Sequence, residues 1–360
     1  MQNINSKKLL FVDPLSPEGH INFNKIYINA LSNIFVSIDF AFKKGYEEKL
    51  SISKDDKVYL IPAKYYINSN NKISNRVRYI QIFRHIKKYC NINNYDFVIF
   101  SSYEEISLYL SFINRPLILI NHNNISGLQD NIKLFFFKKL AKKNINIVFE
   151  NYMKDYLLSL GINNVYTIHH GLPKSHDEKL LNNSKLIEDF SCINNFRYVI
   201  FSPSSTSTDI NFLETLISND VFNVFLRDND ILLILKNKHL NSNSKNIKIV
   251  KNYLTDLQYQ YIFLRSHLII IPYSDKFLYR VSGVLFESMA NDKICLFSDI
   301  KALQIYIDFF NYDPIFNTVD DLINRISYII SNINKINNPY KNLFQLEPNF
   351  EFLFSNISIL

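Results

Sequence analysis

Short apolar runs alternate with longer amphipathic stretches along the whole chain. The apolar runs predict strands at residues 9–12, 35–40, 58–61, 97–100, 117–120, 145–149 and 165–168, then at 198–201, 231–235, 247–250, 268–271, 294–297 and 315–316. The stretches between them predict helices at 22–33, 77–89, 132–143, 153–160, 210–218, 256–265, 284–290, 302–309 and 320–331. Strands that are short and continuously apolar are typical of parallel sheets covered on both faces.

Two such series of alternating elements predict an α/β protein with two doubly wound, Rossmann-like domains. We place the first domain at 1–173, a polar linker at 174–195 and the second domain at 196–335. The tail at 336–360 follows, with a helix that packs back on the first domain as one expectation. In open parallel sheets, ligands bind beyond the carboxyl ends of the strands. We therefore expect the loops of the two domains to face each other across a cleft.

Glycine is scarce, with 6 residues in 360, where about 25 would be usual. In a composition that avoids glycine, each remaining one is expected to have a backbone reason. Three of them lie within five residues of a histidine, and these are Gly19, Gly127 and Gly171. We assign Gly19, Gly171 and the neighbouring His170 to the acceptor side of the predicted cleft.

The stretch that follows the strand at 268–271 has the features of an anion site. Ser282 is a good helix N-cap. Gly283 would let a ligand approach the free backbone N–H groups of the first turn, including that of Val284, and such groups favour a phosphate. Arg280 would add a charge-assisted contact, and Glu287, one turn further on, would accept hydrogen bonds from ribose hydroxyls. The alternative is an ordinary capped helix with a surface glutamate.

Histidines follow several predicted strands of the first domain. His122 comes directly after an apolar run and is predicted to contact the donor sugar or orient the reacting groups, with a capped loop histidine as the alternative. His20 is the candidate base on the acceptor side, because an imidazole suits proton abstraction near neutral pH; helix capping is its alternative. His169 and His170 fit hinge packing. No HxxxH or CxxC spacing occurs, so we expect no metal site.

The net charge of +7 is unevenly distributed. Residues 1–175 hold 23 Lys and Arg against 13 Asp and Glu, whereas residues 176–360 hold 17 against 20. Residues 131–144 combine three phenylalanines with a cationic cluster made of Lys138, Lys139, Lys142 and Lys143. Such a segment suits an anionic membrane surface, with a core-facing helix bearing solvated lysines as the alternative. No nucleic-acid recognition motif accompanies the charge, and we expect no nucleic-acid partner.

Cysteine usage and hydropathy indicate the compartment. Cys90, Cys192 and Cys295 are odd in number and far apart, which is typical of buried thiols in a reducing cytosol and not of a disulfide framework or a metal site. No apolar run reaches the ~18 residues that a membrane span requires. The N-terminal residues lack the apolar region of a signal peptide. We therefore expect a cytoplasmic protein, with peripheral contact at the inner face of the membrane as a further expectation.

Residues 272–299 resemble the nucleotide-sugar-binding segment of GT-B glycosyltransferases, particularly the retaining family 4 type. That pattern has a first Glu, a helix bearing a second Glu eight residues later, and a strand that ends in Ser-Asp. Glu287 matches the second Glu, but Tyr279 stands at the first position and Asp275 is the nearest carboxylate that could replace it. The stretches FVDPLSPEGHINFNKIYINAL, LILINHNN and TIHHGLP also resemble family segments, in matching order.

The resemblance implies a glycosyltransferase of bacterial surface polysaccharide assembly. Its second domain would bind a nucleotide diphosphate sugar as donor substrate, without a further cofactor, and its first domain a glycan or lipid-linked acceptor. Many members hold the donor diphosphate with Arg and Lys after the first strand of the second domain. This chain has SPSSTSTD there, so Lys236 or Arg280 would supply the charge. A nucleotide-sugar epimerase and a catalytically degenerate partner subunit stay open as alternatives.

Overall fold

The computed structural model describes residues 6–16, 18–50, 52, 56–67, 71–203, 209–336 and 338–357. The chain forms two compact units. The first unit comprises Met1–Gly171, Tyr279–Val281 and Leu346–Leu360, and the second comprises Leu172–Leu278 and Ser282–Gln345. Each unit is therefore built from segments that are distant in sequence.

The described part of the first unit contains a sheet of seven parallel strands. They are β1 Leu9–Asp13, β2 Ile38–Lys43, β3 Val58–Ile61, β4 Phe97–Phe100, β5 Ile118–Ile120, β6 Ile145–Val148 and β7 Val165–Thr167. Their spatial order is β3-β2-β1-β4-β5-β6-β7, so the order reverses between β1 and β4. In the central register Phe11 pairs with Phe40 on one side and with Ile99 on the other. Ligands of doubly wound folds bind at such a switch point.

Helices cover the sheet of the first unit. They are α1 Ile21–Ser32, α2 Lys72–Tyr89, α3 Glu105–Leu110, α4 Asn131–Ala141, α5 Asn151–Ser159 and the C-terminal α13 Glu351–Ile357. Helix α1 buries Phe23, Tyr27 and Leu31, whose spacing of four residues places them on one face. From α13, Phe354 packs with its ring centroid 4.8 Å from that of Phe35. Helix α13 thus contributes to the core of the first unit.

The second unit repeats this architecture with six described parallel strands. They are β8 Tyr198–Ser202, β9 Ile231–Lys236, β10 Ile247–Val250, β11 Leu268–Ile271, β12 Ile294–Ser298 and β13 Ile315–Phe316, in the spatial order β10-β9-β8-β11-β12-β13. Its helices are α6 Ser184–Asp189, α7 Ile210–Ser218, α8 Asp220–Asp228, α9 Asp256–Arg265, α10 Gly283–Ala290, α11 Lys301–Gln304 and α12 Val319–Asn332. Residues 174–195, predicted as a linker, belong to this unit and include α6. Two parallel sheets with helices confirm the predicted fold class.

Some predicted element boundaries are wrong. The strand predicted at 35–40 lies at Ile38–Lys43, because Phe35 precedes the strand and packs against Phe97 at 5.9 Å between ring centroids. The helix predicted from residue 77 begins at Lys72, where Asn71 caps it by accepting a hydrogen bond from the Ile73 N–H at 2.8 Å. Its polar first turn carries no apolar periodicity, so the pattern did not reveal it.

Three described helices were not predicted. They are α3, α6 and α8. Both α3 and α6 have only six residues, too short for a repeating apolar stripe. Helix α8 follows α7 directly and is separated from it by Asn219, which accepts a hydrogen bond from the Phe222 N–H at 2.8 Å. Among the helices of the described ranges, none has the length and hydropathy that crossing a bilayer requires.

Candidate functional site

Three histidines of the first unit lie together beyond the carboxyl ends of its strands. His20 precedes α1, His122 follows β5, and His170 follows β7. The ring centroids of His20 and His122 are 4.1 Å apart, with an interplanar angle of 31°. Phe23 contacts both His122 and His170, at centroid distances of 4.3 and 5.1 Å. The structure thus brings three predicted site residues into one aromatic cluster, which we call the histidine cluster; their roles stay predictions.

A buried carboxylate that the sequence analysis did not single out lies beside this cluster. Asp13, the last residue of β1, has its Oδ2 3.6 Å from the Nδ1 of His20. That distance is too long for a hydrogen bond, but the carboxylate is held firmly. Asn24 donates to its Oδ2 at 2.7 Å, the Ser16 N–H donates to its Oδ1 at 2.9 Å, and the Ser102 hydroxyl also donates to Oδ1.

The position of Asp13 offered a signal that could have revealed it. It is an acidic residue that ends a fully buried strand, directly before the first loop of a doubly wound domain. The carboxyl end of that strand adjoins the ligand crevice in such folds. A charged residue there needs a partner, and among the ion pairs of the described residues its partner is His20.

Two imidazoles of the histidine cluster are kept neutral. Burial lowers the pKa of His122 well below its ordinary value, the neighbouring His20 and His170 lower it further, and the Ser101 carbonyl opposes them. Burial lowers the pKa of His170 to about 4, against the opposing carbonyl of Gly171. The Nε2 of His122 is buried and has no hydrogen-bond partner within the described ranges. His122 is therefore a neutral imidazole packed inside the histidine cluster.

The two glycines assigned to the acceptor side differ. Gly171 has a φ of +80°, and an added Cβ would lie 2.5 Å from the Cγ2 of Ile26 and 2.9 Å from the Cδ of Pro348. Backbone conformation and packing both account for it. Around Gly19 no described atom lies within 4 Å of an added Cβ. Whether either residue contacts an acceptor stays a prediction.

In the second unit, α10 begins as the sequence predicted. The Oγ of the buried Ser282 accepts a hydrogen bond from the Leu285 N–H at 3.1 Å. Gly283 is exposed, and an added Cβ would meet no described atom within 4 Å. The geometry of a helix start leaves the N–H groups of Gly283 and Val284 without an acceptor inside the helix. The protein itself therefore gives no packing reason for glycine here, and space is open beside two free N–H groups.

Glu287 lies one turn further along α10 and is only 9% exposed, so its interpretation as a surface glutamate is wrong. Tyr259 of α9 donates its hydroxyl hydrogen to the Oε2 of Glu287 at 2.6 Å. The Nε2 of His176 lies 2.9 Å from the Oε1 of Glu287, at ion-pair distance but outside the direction of an aligned hydrogen bond. Sequence reasoning missed both partners: Tyr259 is one of 23 tyrosines, and His176 lies in a polar stretch that resembles a linker.

The two cations proposed for the donor diphosphate are placed differently. Lys236 ends β9, with its Nζ 5.3 Å from the ring centroid of Tyr253 and 6.0 Å from that of Tyr259. Lys236 therefore lies near Tyr259, the residue whose hydroxyl donates to Glu287. Arg280 belongs to the first unit, where its Nε lies 3.4 Å from the Oγ of Ser126.

The position of the first family Glu belongs to the first unit as well. Tyr279 stacks on Tyr156 of α5 with ring centroids 4.3 Å apart, and lies 6.1 Å from Tyr152. Asp275, the nearest carboxylate in sequence, lies in the exposed 3-10 turn Asp275–Phe277. The aromatic stack explains why a tyrosine suits position 279. The described residues that form the stack, Tyr279, Tyr156 and Tyr152, include no carboxylate.

Two further predictions concern the loop after β8 and metal binding. Most of the SPSSTSTD loop, residues 204–208, lies outside the described residues. Among the residues that are described, no group of three or more His, Cys, Asp and Glu side chains is arranged to hold a metal ion.

The cationic cluster lies at the C-terminal end of α4. Its four lysines are exposed. Phe137 of the same helix is buried, whereas Phe135 is 54% exposed and Ile132 is 63% exposed. The Nζ of Lys139 lies 5.3 Å from the ring centroid of Phe135. Exposed apolar side chains therefore accompany the lysines on this helix.

No protein-family model matches the chain, and no curated protein matches it in sequence. Solved structures match its fold over nearly its whole length. The Anabaena HepE protein in complex with UDP-glucose has a TM-score of 0.62 and 13% identity, over 98% of this chain and 100% of that one. A sucrose-phosphate synthase from Thermosynechococcus elongatus has a TM-score of 0.64 and 12% identity, over 98% of each chain.

A UDP-GlcNAc 2-epimerase from Neisseria meningitidis, bound to UDP-GlcNAc, is also similar. Its TM-score is 0.58 at 12% identity, over 98% of this chain and 100% of that one. At such identities the likeness shows the fold, which is the two-unit, parallel-sheet architecture of GT-B proteins.

Proposed function

We propose that the protein is a glycosyltransferase that uses a nucleotide diphosphate sugar as donor. The observation that carries this proposal is the start of α10, where the capping Ser282, the open space at Gly283 and the buried Glu287 share one helix. A helix N-terminus with free N–H groups favours a phosphate, and a carboxylate accepts hydrogen bonds from hydroxyls. A nucleoside diphosphate offers both groups.

In the proposed reaction the second unit binds the donor. The N–H groups of Gly283 and Val284 contact the diphosphate, and Glu287 accepts hydrogen bonds from the ribose. Lys236 supplies positive charge to the diphosphate as its bond to the anomeric carbon of the sugar breaks. Catalysis then comes mainly from positioning and from neutralising the departing diphosphate.

The first unit binds the acceptor. His20 takes the proton of the attacking hydroxyl, and the fixed carboxylate of Asp13 stabilises the imidazolium that forms. His122, whose ring centroid lies 4.1 Å from that of His20, orients the reacting groups. The proposed acceptor is a glycan or a lipid-linked glycan in bacterial surface polysaccharide synthesis, which rests on the family resemblance alone.

Contact with an anionic membrane surface is part of the same proposal. The exposed cationic cluster and the exposed Phe135 and Ile132 support it, because cations and apolar side chains on one helix are the features of interfacial binding. Peripheral attachment would bring the enzyme to a lipid-linked acceptor.

The anomeric outcome is proposed from resemblance. The family 4 pattern favours retention, whereas Tyr279 in place of the first Glu argues against it. The NMR coupling constant of the anomeric proton at the new glycosidic bond, compared with that of the donor sugar, distinguishes the two outcomes.

Epimerisation of a nucleotide sugar is the second candidate. Structures named as UDP-GlcNAc 2-epimerases, from Neisseria meningitidis and Listeria monocytogenes, share this fold. The two activities separate when donor is supplied alone, because an epimerase then produces an isomerised nucleotide sugar, whereas a glycosyltransferase leaves the sugar unchanged apart from slow hydrolysis.

A thermal-shift screen tests the common premise. UDP, GDP, CMP and dTDP, each with its common sugars, are added to the full chain. A ligand that binds only the native state raises the melting temperature, by an amount that grows with its concentration relative to Kd. If none of these nucleotides or nucleotide sugars produces a concentration-dependent shift, the proposed donor site is wrong.

A further inference from the structure

The carboxylate of Glu287 is held from two sides. Tyr259 reaches its Oε2 from α9 at 2.6 Å, and His176 reaches its Oε1 at 2.9 Å from the segment that leads into the second unit. The two contacts approach different oxygens, so they fix the plane of the carboxylate as well as its position. A contact to one oxygen alone would fix only the distance between the carboxylate and its partner.

His176 is itself anchored to α10. Its backbone N–H donates to the Oδ1 of Asn291 at 2.7 Å. Asn291 lies one turn after Glu287 and donates from its Nδ2 to the Glu287 carbonyl, also at 2.7 Å. The imidazole is also 5.3 Å from the ring of Phe263, edge to face. His176 is therefore tied to the helix that carries the carboxylate.

Tyr259 is the donor in its contact with Glu287. Burial, followed by the charge of Glu287, raises the pKa of Tyr259 well above its ordinary value, so Tyr259 stays a phenol that can donate. Within the described ranges the ion pairs give Glu287 no Lys or Arg partner, and His176 is its recorded one. A buried carboxylate without a strong cation needs its hydrogen bonds.

Glu287 keeps capacity for a ligand. A carboxylate has about four lone-pair sites, and the hydrogen bond from Tyr259 uses one of them. A ribose offers two neighbouring hydroxyl donors, which the remaining acceptor capacity of the carboxylate suits.

We propose that Tyr259 and His176 are positioning residues that orient Glu287 toward the ribose diol, so that ribose recognition is a property of the three side chains together. This inference rests on the proposed function. It assigns a role to a histidine from a stretch that resembled a linker, and to a tyrosine on a different helix from the carboxylate.

The experiment measures ribose preference by isothermal titration of the full chain. The probes are UDP with 2′-deoxy-UDP, and GDP with 2′-deoxy-GDP. The preference is the ratio of the Kd of the deoxy form to that of the ribo form. In the wild type we expect a ratio of about ten for the nucleotide that binds, since a hydrogen bond to a charged group is lost. Glu287→Gln should bring the ratio close to one.

The positioning variants are Tyr259→Phe and His176→Ala. Each should lower the ratio at least threefold by weakening the ribo form, with little effect on the deoxy form. His176→Gln, which can place an amide donor near the former Nε2, should recover part of the preference. Tyr328→Phe, an exposed tyrosine of α12, is the matched control and should keep the wild-type ratio.

The outcomes separate the two proposals. If no probe binds the wild type, this inference fails, and the proposed function fails with it only if the thermal-shift screen finds no nucleotide ligand either. If Glu287→Gln abolishes the preference while Tyr259→Phe and His176→Ala keep it, the ribose site stands and the positioning roles are wrong. Equal weakening of ribo and deoxy forms would likewise overturn the positioning roles. Melting temperatures of the variants identify any that fail to fold. If Tyr259→Phe fails to fold, the comparison of His176→Ala with His176→Gln still tests the positioning role of His176.

Discussion

The carboxyl ends of the two sheets carry different chemistry on the same scaffold. In the first unit, an aromatic cluster of three histidines lies beside the buried Asp13. In the second, a capped helix start borders open space and a buried glutamate follows one turn later. Both arrangements stand on parallel sheets whose strand order reverses near the centre. The scaffold therefore determines where side chains collect, and the loop residues determine which chemical groups stand there.

Because the two units hold different groups, we expect substitutions in one unit to change different measured quantities from substitutions in the other. Groups of the first unit should affect turnover and acid stability, whereas the start of α10 should affect nucleotide affinity. The following experiments test whether the effects on turnover, stability and nucleotide affinity are separate.

The largest effect is expected for His122→Ala. Loss of an imidazole that serves the reaction should reduce turnover with a soluble acceptor by about 10²-fold or more, while the Kd for the nucleotide stays within twofold. Steady-state kinetics and titration measure the two quantities. His85→Ala, a histidine of α2 that stacks on Tyr89 at 4.2 Å, is the control. Full turnover of a folded His122→Ala protein would remove His122 from the mechanism.

Acid should weaken the first unit through His170. Its folded pKa of about 4 lies below the ordinary value of 6.5, so the unfolded chain binds the proton more readily between those values. Stability is then lost as pH falls from 6.5 toward 4, with a slope of up to about 1.4 kcal/mol per pH unit. His169 opposes this, because the Glu150 carboxylate, 3.5 Å from its Nδ1, raises its pKa.

Urea unfolding of the wild type and of His170→Gln at pH 4.5, 5.5 and 6.5 (chosen to bracket that window) measures the contribution of His170. The variant should lose less stability across the series, since the titrating group is gone. Identical slopes for the two proteins would contradict the depressed pKa.

Substitution of Gly283 should weaken nucleotide binding without weakening the fold. Gly283→Val places a branched side chain where a diphosphate is proposed to lie, and should raise the Kd at least tenfold, about 1.4 kcal/mol. Its melting temperature should stay near that of the wild type, since an added Cβ meets no described atom. Gly171→Val is the matched contrast and should be destabilised, because its Cβ would clash and its φ is +80°. An unchanged Kd for Gly283→Val would rule out the site.

The smallest effect per residue is expected in the cationic cluster. Reversal of each lysine to Glu should weaken binding to anionic liposomes by up to about 1 kcal/mol, and turnover on a soluble acceptor should change little. Wild-type binding should also fall with added salt. The control is reversal of exposed lysines of the second unit, Lys185, Lys245, Lys251 and Lys335. The decisive variant carries all four reversals of the cluster. If it binds anionic liposomes at low salt with wild-type affinity, membrane contact through α4 is refuted.

Much of the second-unit site was readable from sequence because it is local. A cap, a glycine and a glutamate within six residues, Ser282 to Glu287, follow from helix geometry alone. The histidine cluster was readable in part, because residues after parallel strands collect at one edge of a sheet. Arg280 shows the limit: it is two residues from Ser282 in sequence, yet it belongs to the other unit.

The amino-acid sequence by itself determined the alternation of elements, the parallel sheets and the cap of α10, since periodicity and capping act over a few residues. Only the tertiary structure decided that Asp13 faces His20, that Tyr279 stacks on Tyr156, and that Tyr259 and His176 hold Glu287. Those contacts join side chains that are 7, 123, 28 and 111 positions apart in the chain, and no local pattern encodes such pairings. They are set when the packing of whole elements brings the loops together, because a buried polar group is stable only where that packing also provides its partner.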